Sequence, residues 1–97
     1  MNTSSLLTEV DVQQQFAVYL RKLREKAKLS RNTLSERSTV PAPTIKKFEL
    51  TGKISFRQLL LLWQSLDDLS RLYQLTQERQ ADNLMPTSID EVLKQNV

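Results

Sequence analysis

The chain has 97 residues, with 14 Lys/Arg against 11 Asp/Glu, no cysteine and no histidine. That length makes one small domain of modest burial, and the composition excludes a disulfide framework, thiol chemistry and a zinc-finger ligand set. The longest apolar run, Leu59 to Trp63, is far short of the roughly 20 residues a membrane span needs.

The opening MNTSSLLTEVD lacks a basic segment followed by an apolar one, so no signal peptide is expected. Residues 1–10 read as a flexible tail. Asp11 with Gln14 is a capping pair for a first helix, and Thr8 is an earlier candidate start. Val12, Phe16, Tyr19 or Leu20, Leu23 and Ala27 recur at helical spacing and form one apolar stripe. Arg21, Lys22, Lys26 and Lys28 fall largely off it. Ser30 is an N-cap for a second helix, Arg31 to Ser38. The N–H groups of that helix start, together with Arg31, can face a phosphate; a plain cap beside a solvated arginine is the alternative.

Thr39-Val40-Pro41 prevents one continuous helix, because proline removes an N–H and disfavours helical geometry in the residue before it. Pro41 and Pro43 mark a third helix starting near Pro41 or Ala42 and running to Leu50, with Gly52 as its left-handed stop. Leu29, Leu34, Val40, Ile45 and Phe48 supply apolar positions along the pair, and Lys53 follows as a candidate phosphate contact. Ser55 with Gln58 is a capping box for a fourth helix, Phe56 to Leu66, which reads as apolar almost all round. Asp67 or Asp68 starts a fifth helix carrying Leu69, Leu72, Tyr73 and Leu75; the two carboxylates read as caps rather than as a metal pair. Thr76 to Thr87 reads as a polar linker, and Ser88 to Glu91 as the capping box of a short last helix with Ile89, Val92 and Leu93 on one edge. Such a helix needs a surface to dock on, in cis or on a partner.

Charge is uneven along this order. Asp11 to Arg57 holds eleven Lys/Arg against four Asp/Glu, or +7; Gln58 to Val97 holds three against six, or −3. Glu9 makes up the rest. A solvated surface is the commoner source of a charge excess alone. Here the excess coincides with two short helices and a tight turn, the pattern of a DNA-binding helix-turn-helix, which points to nucleic acid.

The stretch FAVYLRKLREKAKLSRNTLSERSTVPAPTIKKFELTGKIS resembles the Xre/lambda-repressor-type helix-turn-helix family, and the similarity spans Phe16 to Leu75. Its continuation ISFRQLLLLWQSLDDLSRL resembles the short HipB-type antitoxins that pair with HipA-type kinase toxins. The resemblance implies an all-α, five-helix domain at 11–75 and a 76–97 appendage of linker and short helix. It implies that Arg24 and Glu49 pair to join helix one to the end of helix three, and that Pro41, Ala42, Pro43, Thr44, Lys46 and Lys47 lie at or near DNA. Many relatives carry hydrogen-bonding side chains where this chain has Ala42 and Pro43, which can at most touch a thymine methyl. Thr44 and Lys47 are therefore the expected base readers, Lys47 towards guanine, with Lys46 available to the backbone. Thr39 stands where the family usually has glycine.

Trp63, Leu66, Leu69, Leu72 and Tyr73 are the expected dimer interface; Trp63, among leucines, reads as core or interface rather than as a platform for a single-stranded base. The expected function is a homodimeric, cytoplasmic repressor that binds a palindromic double-stranded operator as a type II antitoxin and neutralises a kinase toxin. The alternative is a stand-alone phage or host regulator with no toxin partner. No cofactor, metal site or enzymatic activity is expected, since no nucleophile–base constellation and no phosphate loop exist.

Overall fold

A computed structural model describes residues 6–84, with side chains to residue 77. The described residues form five helices and no strand: α1 Glu9–Lys26, α2 Arg31–Ser38, α3 Ala42–Thr51, α4 Phe56–Leu66 and α5 Leu69–Leu84. The chain divides into two units, Met1–Asp67 and Asp68–Val97.

In the first unit, α1 and α2 each pack on both α3 and α4. The core is Ala17, Leu20, Leu34, Val40, Ile45, Phe48, Leu62 and Trp63, all buried. Ile45 and Phe48 lie three residues apart, so one face of α3 is committed to this core and the other is left outside. Phe16 meets the Trp63 ring edge-on at 5.8 Å between centroids, and Tyr19 lies tilted against it at 5.4 Å. The Tyr19 hydroxyl donates to the carboxylate of Asp67, the residue that closes α4.

Local chemistry accounts for the boundaries. Thr8, not Asp11, is the N-cap of α1: its side chain accepts from the Asp11 N–H while the Asp11 carboxylate accepts from the Thr8 N–H. The helix therefore claims Glu9 and Val10, which the sequence assigns to the tail. At the far end, Lys28 N–H bonds to Glu25 C=O and Leu29 N–H to Arg24 C=O, a Schellman closure with Lys28 left-handed at φ 59. Ser30 and Ser55 cap α2 and α4 through the N–H groups of Thr33 and Gln58. Thr39 takes the left-handed turn at φ 67, and Val40 N–H donates to the Ser38 hydroxyl.

Gly52 ends α3 at φ 80. A Cβ there would stand 3.0 Å from the Gln13 carbonyl carbon and 3.1 Å from the Gln14 nitrogen, so glycine serves both the turn and the close approach of α3 to α1.

Three expectations need correction. The α1 stripe is Ala17, Leu20 and Arg24, flanked by half-buried Phe16, Tyr19 and Leu23; Val12 and Ala27 are exposed. The fourth helix is one-sided rather than apolar all round, with Leu62 and Trp63 buried and Arg57 and Gln64 exposed. Residues 76–84, expected as linker, continue α5.

In the second unit, the Asp68 carboxylate accepts from the Ser70 N–H at the start of α5. The expected helix from Ser88 lies outside the described residues. No helix among the described residues is long and apolar enough to cross a membrane.

Candidate nucleic-acid interface

The outward half of α3 forms a ridge between two clefts. One is lined by Arg24, Ser30, Arg31, Asn32, Ala42, Pro43 and Lys46, joining α3 to the start of α2. The other is lined by Pro43, Thr44, Lys47, Lys53, Ile54, Ser55 and Gln58, joining α3 to the start of α4. Pro43 stands on both rims. Of the nine residues expected at DNA, Ser30, Arg31, Ala42 and Lys46 fall on one side and Thr44, Lys47 and Lys53 on the other. Pro41 lines neither cleft; it is the exposed N-cap of α3. Lys46, Lys47 and Lys53 are exposed, and no ion pair involves them among the described residues.

The start of α3 differs from those of α1, α2 and α4. Pro41 supplies no side-chain cap and Pro43 has no N–H. Little but Thr44 is polar there until Lys46, so the ridge is a narrow apolar edge bounded by two cationic flanks.

Beneath it lies a three-residue ionic cluster. Arg24 Nε donates to Glu49 Oε2 at 2.6 Å and Arg24 Nη2 to Oε1 at 3.0 Å, while Arg24 Nη1 donates to the Leu29 carbonyl at 2.9 Å. One side chain thus ties together α1, the turn before α2 and the last turns of α3. Arg31 Nε donates to Glu49 Oε1 at 2.8 Å. The Glu49 side chain is 3% exposed, that of Arg24 11% and that of Arg31 31%. Burial alone would raise the Glu49 carboxyl; the hydrogen bonds from Arg24 and Arg31, with their charges, outweigh it and hold the carboxyl below its ordinary value. The Glu49 hydrogen bond raises Arg24 against the opposing effect of burial.

Two sequence expectations change at this point. Arg31 is neither a solvated side chain nor one turned wholly outward, because its guanidinium is held by Glu49. Trp63 is 5% exposed and lies among core rings, which removes it from any face offered to a second subunit. Leu66, Leu69 and Leu72 are half-buried and Tyr73 is 66% exposed. Asn32, Ser55 and Gln58 join the clefts without having been singled out for contact. Ser55 and Gln58 were legible only as a cap, and nothing in the sequence says that a capping pair also borders Lys47. Among the described residues no cluster of three or more potential metal-ligating side chains occurs. Comparison with protein-family models, curated proteins and solved structures gives no match for this chain.

Proposed function

We propose that the chain is a sequence-specific, double-stranded DNA-binding repressor with a lambda-repressor-like helix-turn-helix, acting as a homodimer on a palindromic operator. The observation that carries the proposal is the outer face of α3: Pro43, Thr44, Lys46 and Lys47 stand clear of the core while Ile45 and Phe48 anchor the opposite face. A rod about 10–12 Å across with cationic flanks matches a major groove in width, and phosphates would engage Arg31, Lys46 and Lys53 on either side. Thr44 and Lys47 read bases. Exposed Tyr73 and Leu75 on α5 support an association surface outside the first unit. Within this assignment the HipB-type antitoxin role, with a kinase toxin as partner, is the specific form proposed.

The test is binding to the DNA upstream of the protein's own coding region. Thr44→Ala combined with Lys47→Ala should lower affinity for the preferred duplex by roughly 100-fold, from about 1–3 kcal/mol per lost base contact, with the helical content retained. Unchanged discrimination between that duplex and a scrambled one in the double variant would refute the readout. Co-purification with the product of the adjacent gene separates the antitoxin from the stand-alone regulator.

A further inference from the structure

An apolar groove opens on the first unit between the start of α1 and the start of α4. Val12 and Phe16 of α1, Phe48 of α3, Ile54 and Leu59 line it, and its volume is about 510 Å³, ample for a phenyl ring. Ile54 alone borders the clefts beside α3 as well, so the groove is a surface apart from the ridge. Phe56 also belongs to its lining, yet it is 74% exposed. Nothing local calls for a large ring there: Ser55 and Gln58 make the cap of α4, while Leu62 and Trp63 supply its part of the core. Leu6 and Leu7, both largely exposed, precede Glu9 and add apolar surface at that end of α1.

The charges on this patch are opposite and unspent. Glu9 is the one ionisable residue lining the groove, and Arg57 directly follows Phe56 on α4. Both are exposed, and neither enters an ion pair among the described residues. A hole with an acid on its wall and a knob with a base beside it therefore share one surface. A two-fold interface requires that combination, because the same patch serves both sides and each contact occurs twice. As Phe56 of one copy enters the groove of another, Arg57 is carried towards Glu9 of the second copy. A purely basic partner would satisfy Glu9 but repel Arg57, and a purely acidic one would do the reverse. A patch bearing both signs in this order answers both.

We infer that the groove is a self-docking surface on which a second copy of this chain packs about a two-fold axis, Phe56 into groove and Arg57 against Glu9 in both directions. Phe56 is the anchor, and the rim charges set register and exclude wrong partners. The contact is independent of duplex binding and lies on the first unit, in addition to the association surface proposed on α5.

Sedimentation equilibrium of the full chain tests this from micromolar to millimolar concentration, with thermal melting to confirm that each variant is folded. The parent should associate weakly, as small interfaces do. Phe56→Ala should melt like the parent and weaken the association by at least roughly tenfold. Glu9→Arg alone and Arg57→Glu alone each set like charges opposite one another twice and should weaken it by a similar factor, about tenfold. The two reversals in one chain should restore it, and so should an equimolar mixture of the two single variants. Association that no substitution alters belongs to another surface, such as α5, and overturns the inference. A parent with no concentration-dependent step overturns it too and leaves the groove to a different occupant. Loss in the single reversals without recovery in the combined variant or the mixture would overturn the two-fold pairing of Arg57 with Glu9.

Discussion

Glu49 illustrates how one buried side chain can serve architecture and surface at once. Removing it strands Arg24 with two unpaired donors in an 11% exposed position, and breaking a buried pair costs more than the pair contributes relative to an apolar replacement. Glu49→Ala should therefore lose about 3 kcal/mol in chemical denaturation, a large share of the stability of so small a domain. The same carboxyl predicts the acid limb of stability. Its folded value lies below the ordinary 4.5, so the folded chain holds this proton less readily than the unfolded one. The contribution is complete above that ordinary value and is lost as pH falls towards and through the folded one. Denaturation midpoints should accordingly stay level from neutrality and fall in acid, with a shallower fall in Glu49→Gln. Backbone strain is the other matter settled residue by residue. Among the described residues, three positions adopt positive φ, and the single glycine of the chain occupies only one of them. Thr39, β-branched, bears the largest conflict with its geometry. Thr39→Gly should raise stability by about 1 kcal/mol, and Gly52→Ala should lower it by at least about 2 kcal/mol, because its methyl group would meet the Gln13 backbone at 3.0 Å. Thermal melts of the two variants should move in opposite directions.

Among the elements, the capped ones were the most legible. Ser30 and Ser55 fix the starts of α2 and α4, and the proline pair with Gly52 brackets α3 to within a residue, because caps and prolines act on the backbone locally. Ser30→Ala should cost about 1 kcal/mol in urea denaturation. Where competition between similar signals decides, the sequence is ambiguous. Thr8 and Asp11 both carry cap chemistry, and the reciprocal box they form uses Asp11 as third helical residue rather than as cap. The end of α5 went unread for a different reason. Thr76 to Leu84 is polar, yet it is rich in Gln, Glu, Arg and Ala and free of glycine and proline, so propensity continues a helix that hydrophobic periodicity gives no reason to expect. The clefts beside α3 depend on which surfaces of four helices converge, and no local pattern encodes that. Arg31 shows the limit: its position was legible, but its carboxylate partner lies 18 residues away on another helix.

At the scale of the whole molecule, the uneven charge of the chain becomes a surface with Arg31, Lys46, Lys47 and Lys53 on the two flanks of one ridge. Under the proposed duplex binding, the three phosphate contacts of Arg31, Lys46 and Lys53 imply a slope of log affinity against log salt of about −2.7 per subunit, and each Lys→Ala change at Lys46 or Lys53 should flatten it by about 0.9. A slope unaffected by those changes would move the polyanion contact elsewhere. The aromatic stack inside the first unit has a practical counterpart. Trp63 is the only indole in the chain and is walled in by Phe16 and Tyr19. The molecule therefore carries a built-in optical gauge of its interior, blue-shifted while the helices hold together and red-shifting as they part. Trp63 is buried and lines neither cleft beside α3, so that same emission should stay nearly silent when a ligand settles on the ridge, and a single fluorophore can tell loss of structure from occupancy.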